Sequence, residues 1–121
     1  MSDTNLFEIQ NTPDFALIRF HGFLDASTVS KARPALLESI PGTCANFLLD
    51  LGTVDFLDSH GVGLFVSLLK RAHQNRGRIV IAGAEGQPSS VLHMVGFNGA
   101  LVAYCENVSK AKELFAEKNG G

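Results

Sequence analysis

The chain reads as an α/β domain, a mixed and mostly parallel β-sheet that opens with an N-terminal hairpin and carries about four helices. Three observations lead there. Short apolar runs of Leu, Ile, Val and Phe recur along the chain, most of them separated by stretches with helical spacing. The first two runs instead follow one another across a four-residue turn cluster. The resulting order, β-β-α-β-α-β-α-β-α, demands crossover connections and therefore parallel pairing after the hairpin.

Leu6–Gln10 and Phe15–Phe20 are the hairpin runs, with Asn11-Thr12-Pro13-Asp14 as the turn between them. Gly22 is expected to break the second strand. Asp25, Ser27 and Thr28 offer N-cap side chains to a helix whose Val29, Ala32, Leu36 and Ile40 fall at helical spacing. Pro34 lacks an N–H and crowds the preceding turn, which predicts a late helix start or a local kink. Pro41-Gly42 ends this element.

Asn46–Leu51 holds Phe47-Leu48-Leu49, the continuous apolar run of a buried central strand. A short loop leads into a helix from Ser59 to about Asn75, with Val62, Phe65, Leu68, Leu69 and Ala72 on one face and Gly77 closing it. Arg78–Ala82 is a second buried strand. Gly83–Gln87 turns into a short helix with Pro88 near its first position and Gly96 past its end. Leu101–Cys105 suits an edge strand, and Ser109–Lys118 a closing amphipathic helix through Ala111, Leu114 and Phe115.

Composition agrees with a single domain over residues 1–121. Of the 121 residues, 45% are hydrophobic and 18% charged, enough apolar material for a real core. Disorder is expected only at the polar or Gly-rich ends, Met1–Asn5 and Lys118–Gly121. Ten basic and twelve acidic residues give a net charge of −2 with no run of either sign, which argues against a nucleic-acid partner. No basic stretch precedes an apolar one at the N-terminus, and no apolar stretch approaches the roughly 18–20 residues that cross a bilayer. Neither export nor membrane attachment is therefore expected. A cytoplasmic location follows, with Cys44 and Cys105 as reduced thiols.

The chemistry concentrates in Leu49-Asp50-Leu51-Gly52-Thr53-Val54-Asp55-Phe56-Leu57-Asp58-Ser59-His60-Gly61-Val62-Gly63. This stretch leaves the central strand and enters a helix at Ser59, a junction where loops are exposed yet held by rigid elements. Gly61 and Gly63 keep the helix start free of bulk, which suits close approach by a partner. Read alone, Ser59, Asp58 and Asp25 are also good helix caps that need no partner. A nucleophile elbow is a rival reading, because Ser59 has Gly61 two residues on. Position 57 is Leu rather than Gly, however, and consecutive Asp58, Ser59 and His60 diverge too far for a nucleophile–base–acid line. His21, His73 and His93 have no supporting motif, so no catalytic residue is assigned. No His/Cys/Asp group has metal-ligand spacing, and Gly83–Gly86 lacks the Gly-Lys-Ser/Thr of a phosphate loop, so no metal or cofactor is expected.

The stretch around Ser59 resembles the Asp-Ser-Ser/Thr-Gly-x-Gly signature of STAS domains, in particular the bacterial anti-sigma factor antagonists. A second match lies upstream, where Gly22-Phe23-Leu24-Asp25-Ala26-Ser27-Thr28 is similar to the family's Gly-x-Leu-Asp-x-x-Thr segment. The element order matches over nearly the whole chain. The resemblance implies that Ser59 is a phosphorylation site. It further implies that the kinase is the partner anti-sigma factor and that a PP2C-type phosphatase resets the switch. Asp25, Thr28, Asp58, Ser59, His60, Gly61 and Gly63 would then make the partner-binding face. His60 departs from the pattern, standing where the family usually has Ser or Thr. The alternative within the same fold is a constitutive scaffold subunit of a stress-signalling or transporter assembly, with Ser59 only capping a helix.

Overall fold

Alternating apolar runs and helical stretches fold as their order requires in the computed structural model, which describes residues 6–120. The elements are β1 (Phe7–Asn11), β2 (Ala16–Leu24), α1 (Ala26–Glu38), β3 (Phe47–Leu57), α2 (Ser59–Gln74), β4 (Ile79–Ala82), α3 (Gly86–Met94), β5 (Val102–Cys105) and α4 (Val108–Gly120). They build one five-stranded sheet in the order β1-β2-β3-β4-β5. β1 runs antiparallel to β2 with Phe7 opposite Phe20, and every other pairing is parallel. Parallel strands place their C-terminal ends together, so all four helices start at the same end of the sheet. Of the ends where the sequence suggests disorder, Met1–Asn5 and Gly121 lie outside the described residues, whereas residues 118–120 are not disordered but continue α4 to its end.

Strand alternation divides the core in two. Ile18, Phe20, Phe47, Leu49, Ile79 and Ile81 point to the face covered by α1, α2 and α3, meeting Leu36, Phe65, Leu68 and Leu92. Leu17, Leu48 and Val80 point the other way, under Ala111 and Phe115 of α4. Helices on both faces explain why β3 and β4 read as continuous apolar runs. Among the described residues no polar or charged side chain is buried.

Three local expectations need correction. Gly22 does not end β2. It adopts φ 74°, and register shifts on either side of it let the strand continue to Leu24. β3 likewise runs past Leu51 to Leu57, because the prolonged β2 offers it a partner as far as Leu24 opposite Leu57. The expected loop shrinks to Asp58. α1 starts at Ala26 with Pro34 inside it, so the late start does not occur. Ser30, whose carbonyl Pro34 cannot serve, is exposed, and so is Pro34, so water can satisfy that oxygen. At the other end of α2, left-handed backbone falls on Arg76 (φ 65°), one residue before Gly77.

Candidate functional site

Two neighbouring strands deliver both sequence motifs to one place. Leu24 and Leu57 are register partners at the ends of β2 and β3, and both are fully buried. The Asp58 N–H donates to the Leu24 carbonyl at 3.2 Å, tying the two strand ends together. The residues that follow, Asp25 and Asp58, are the N-caps of α1 and α2 and therefore sit side by side. Two helix N-termini, each a concentration of partial positive charge, open on this surface.

At α1 the capping box is complete. The Thr28 N–H donates to Asp25 Oδ1 at 3.1 Å, and the Asp25 N–H donates to the Thr28 hydroxyl at 3.0 Å. That hydroxyl also donates to the Phe23 carbonyl at 2.6 Å. Thr28 is thus spent inside the loop and shapes the surface rather than offering itself to a partner. Asp58 Oδ1 accepts from the His60 N–H at 2.8 Å, and the imidazole Nδ1 lies 3.4 Å from the same oxygen. The His60 ring is more than half exposed, a setting in which such a pair contributes only up to about 1 kcal/mol. Ser59 is exposed in the first turn of α2, which carries no acidic residue.

The two glycines separate sharply. Gly63 is exposed, and an added Cβ there would meet nothing within 4 Å. Gly61 is buried: a Cβ would stand 2.3 Å from Leu57 Cδ1 and 2.9 Å from Leu24 Cβ. Gly61 does not belong to the exposed surface. Its lack of a side chain lets α2 settle onto the two strand ends, which is a packing requirement.

Two contributors escaped the sequence reading. Phe23 is 55% exposed and stacks on Phe56, with centroids 5.5 Å apart and planes at 28°. It lies inside the Gly22–Thr28 segment and just before the fully buried Leu24, so alternation turns it away from the core; its stacking on Phe56 follows from the β2–β3 register, which the sequence does not show. The other is Gln87 of α3, whose carboxamide pairs with the Leu57 backbone. The Leu57 N–H donates to Gln87 Oε1 and Gln87 Nε2 donates to the Leu57 carbonyl, both at 2.9 Å. A glutamine thirty positions downstream carries no signal for this contact.

Among the described residues no group of three or more His, Cys, Asp or Glu side chains converges on a metal-sized site. No described helix is long and apolar enough to cross a membrane. Cys44 and Cys105 are both free, and burial pushes both thiols above their ordinary range.

Comparison with known proteins places this geometry. A family model described as the STAS domain matches residues 7–111. An anti-sigma-B factor antagonist of Staphylococcus epidermidis is 29% identical over 83 residues, covering 69% of this chain and 77% of its own length. An anti-sigma F factor antagonist of Paenibacillus polymyxa is 25% identical over 108 residues, covering 88% of this chain and 92% of its own. Among solved structures, the Bacillus cell fate determinant SpoIIAA in its phosphorylated form aligns with a TM-score of 0.68 at 22% identity, over 88% of this chain and 96% of that one.

Proposed function

The chain belongs to the STAS domain family, and from that premise we propose that it is an anti-sigma factor antagonist whose binding is switched by phosphorylation of Ser59. Residues 1–121 act as one STAS unit in this reading. The unmodified protein captures an anti-sigma factor of the serine-kinase class and so frees the sigma factor. Phosphate on Ser59 ends the capture, and a PP2C-type phosphatase restores it, all in the cytoplasm. The protein works by binding and carries out no catalysis of its own.

The observation that carries the reading is the convergence of both motif segments at the paired ends of β2 and β3, with Ser59 exposed on a helix N-terminus. The names of the Staphylococcus and Paenibacillus relatives support the same role. The physics of the switch is local. A phosphate brings about −1.5 to −2 charges and three acceptor oxygens to Ser59. The N-terminus of α2, with no acid in its first turn, tolerates that charge within the fold. A partner surface docked over Ser59 meets it together with Asp25 and Asp58, and is repelled or left desolvated.

The test uses the cognate kinase with ATP. The chain gains one phosphate, Ser59→Ala gains none, and phosphorylation lowers affinity for the anti-sigma factor by roughly 100-fold, equivalent to ~2.8 kcal/mol. Phosphate mapping to Ser27, Ser67 or Ser109, or a phosphorylated chain that binds as tightly as before, refutes the switch.

A further inference from the structure

β4 stops at Ala82, opposite Asp50, whereas β3 continues to Leu57. Beyond Asp50 the β4-facing edge of β3 has no strand beside it. Leu57 pairs with β2 on one side, so its own N–H and C=O face the vacant side, within a residue that is completely buried. Gln87 fills the gap. Its carboxamide closes both bonds at 2.9 Å, reproducing with one side chain the donor–acceptor exchange of a further strand. The helix that presents it is anchored, since Pro88 and Leu92 of α3 are buried.

We infer that Gln87 is a positioning residue for the Ser59 switch, an inference whose functional part rests on the reading of Ser59 given above. Leu57 precedes the α2 cap Asp58 and stands two residues before Ser59, so the carboxamide fixes the point from which the acceptor is presented. α3 is thereby coupled to the switch. Presentation of Ser59 therefore depends on α3 as well as on the ends of β2 and β3.

The experiment compares Gln87→Met, of equal length but unable to form these bonds, with Gln87→Asn, which keeps the carboxamide but is one methylene too short. Leu92→Val serves as a control that weakens the core of the same helix without touching Leu57. Amide exchange by NMR should show Leu57 exchanging about tenfold faster in both Gln87 variants than in the parent, the size of one lost hydrogen bond. With the kinase partner and ATP, kcat/KM for phosphate transfer to Ser59 should fall about tenfold in both. Leu92→Val, at a similar melting temperature, should change neither quantity. Unchanged Leu57 exchange in Gln87→Met overturns the latch. Faster exchange with unaltered phosphate transfer overturns the positioning role. Absence of phosphate transfer to Ser59 in the parent sinks the switch itself and the functional part with it, while Leu57 exchange still decides the latch.

Discussion

Gly61→Ala is the substitution whose outcome the packing dictates most sharply. Alanine is the better helix former, and in open surroundings the change would add roughly 0.5–1 kcal/mol of stability. Here the new methyl meets three atoms. Leu57 Cδ1 at 2.3 Å is the far end of a flexible side chain and can swing aside. Leu24 Cβ at 2.9 Å and the Leu24 carbonyl oxygen at 3.1 Å cannot, because they belong to the strand end that Asp58 also grips. Overpacking against an unyielding neighbour costs about 1–3 kcal/mol, so the clash outweighs the propensity gain and leaves a net loss of roughly 1–2 kcal/mol. For a domain of this length that corresponds to a melting temperature lower by about 4–8 °C. Gly63→Ala, two residues along the same helix with nothing within 4 Å of its Cβ, is the internal control and should raise the melting temperature by about 2–4 °C. Thermal unfolding followed by circular dichroism, with urea titrations for the free energy, measures both. If Gly61→Ala proves as stabilising as Gly63→Ala, the close seating of α2 on Leu24 and Leu57 is wrong.

Other consequences follow from the same surface. Asp25→Ala removes the side-chain half of the α1 capping box and should cost about 1 kcal/mol, read as a melting temperature lower by roughly 4 °C; no change would mean the cap is idle. Phe23→Ala should leave the melting temperature within a degree or two, since the ring is more than half exposed, yet weaken capture of the anti-sigma factor about tenfold, as loss of an aromatic anchor does. Surface plasmon resonance with unchanged affinity would remove Phe23 from the binding face. Burial raises the Cys44 and Cys105 thiols, which depletes thiolate at neutral pH; iodoacetamide should label both more slowly than free cysteine at pH 7 and faster as pH rises. Labelling faster than free cysteine at pH 7 would contradict that environment.

The fold was legible because it rests on patterns local in sequence. Phe47-Leu48-Leu49 and Ile79-Val80-Ile81 announce strands covered on both faces, and Asp25 and Asp58 announce helix starts, wherever the rest of the chain goes. The α2 helix, from Ser59 to its cap at Asn75, was readable for the same reason: its apolar face and its N-cap both lie inside one short window.

What the sequence alone determined is therefore the order of elements, the short sets of residues from which the structure takes Asp25 and Asp58, not Ser59, as caps, and the two segments that carry the motif. Only the tertiary structure decided how those segments meet and what each residue does there. Strand β3 outlasts its apolar run because β2 lies beside it, and β2 outlasts Gly22 because register shifts keep β3 in reach. Gly61 and Gly63 are indistinguishable as letters, yet one is walled in by Leu24 and Leu57 and the other faces open space. Gln87 serves Leu57 only because β4 ends early and α3 begins above the gap. In each case the deciding atoms come from residues remote in sequence, and packing between such residues has no periodicity for a linear reading to detect.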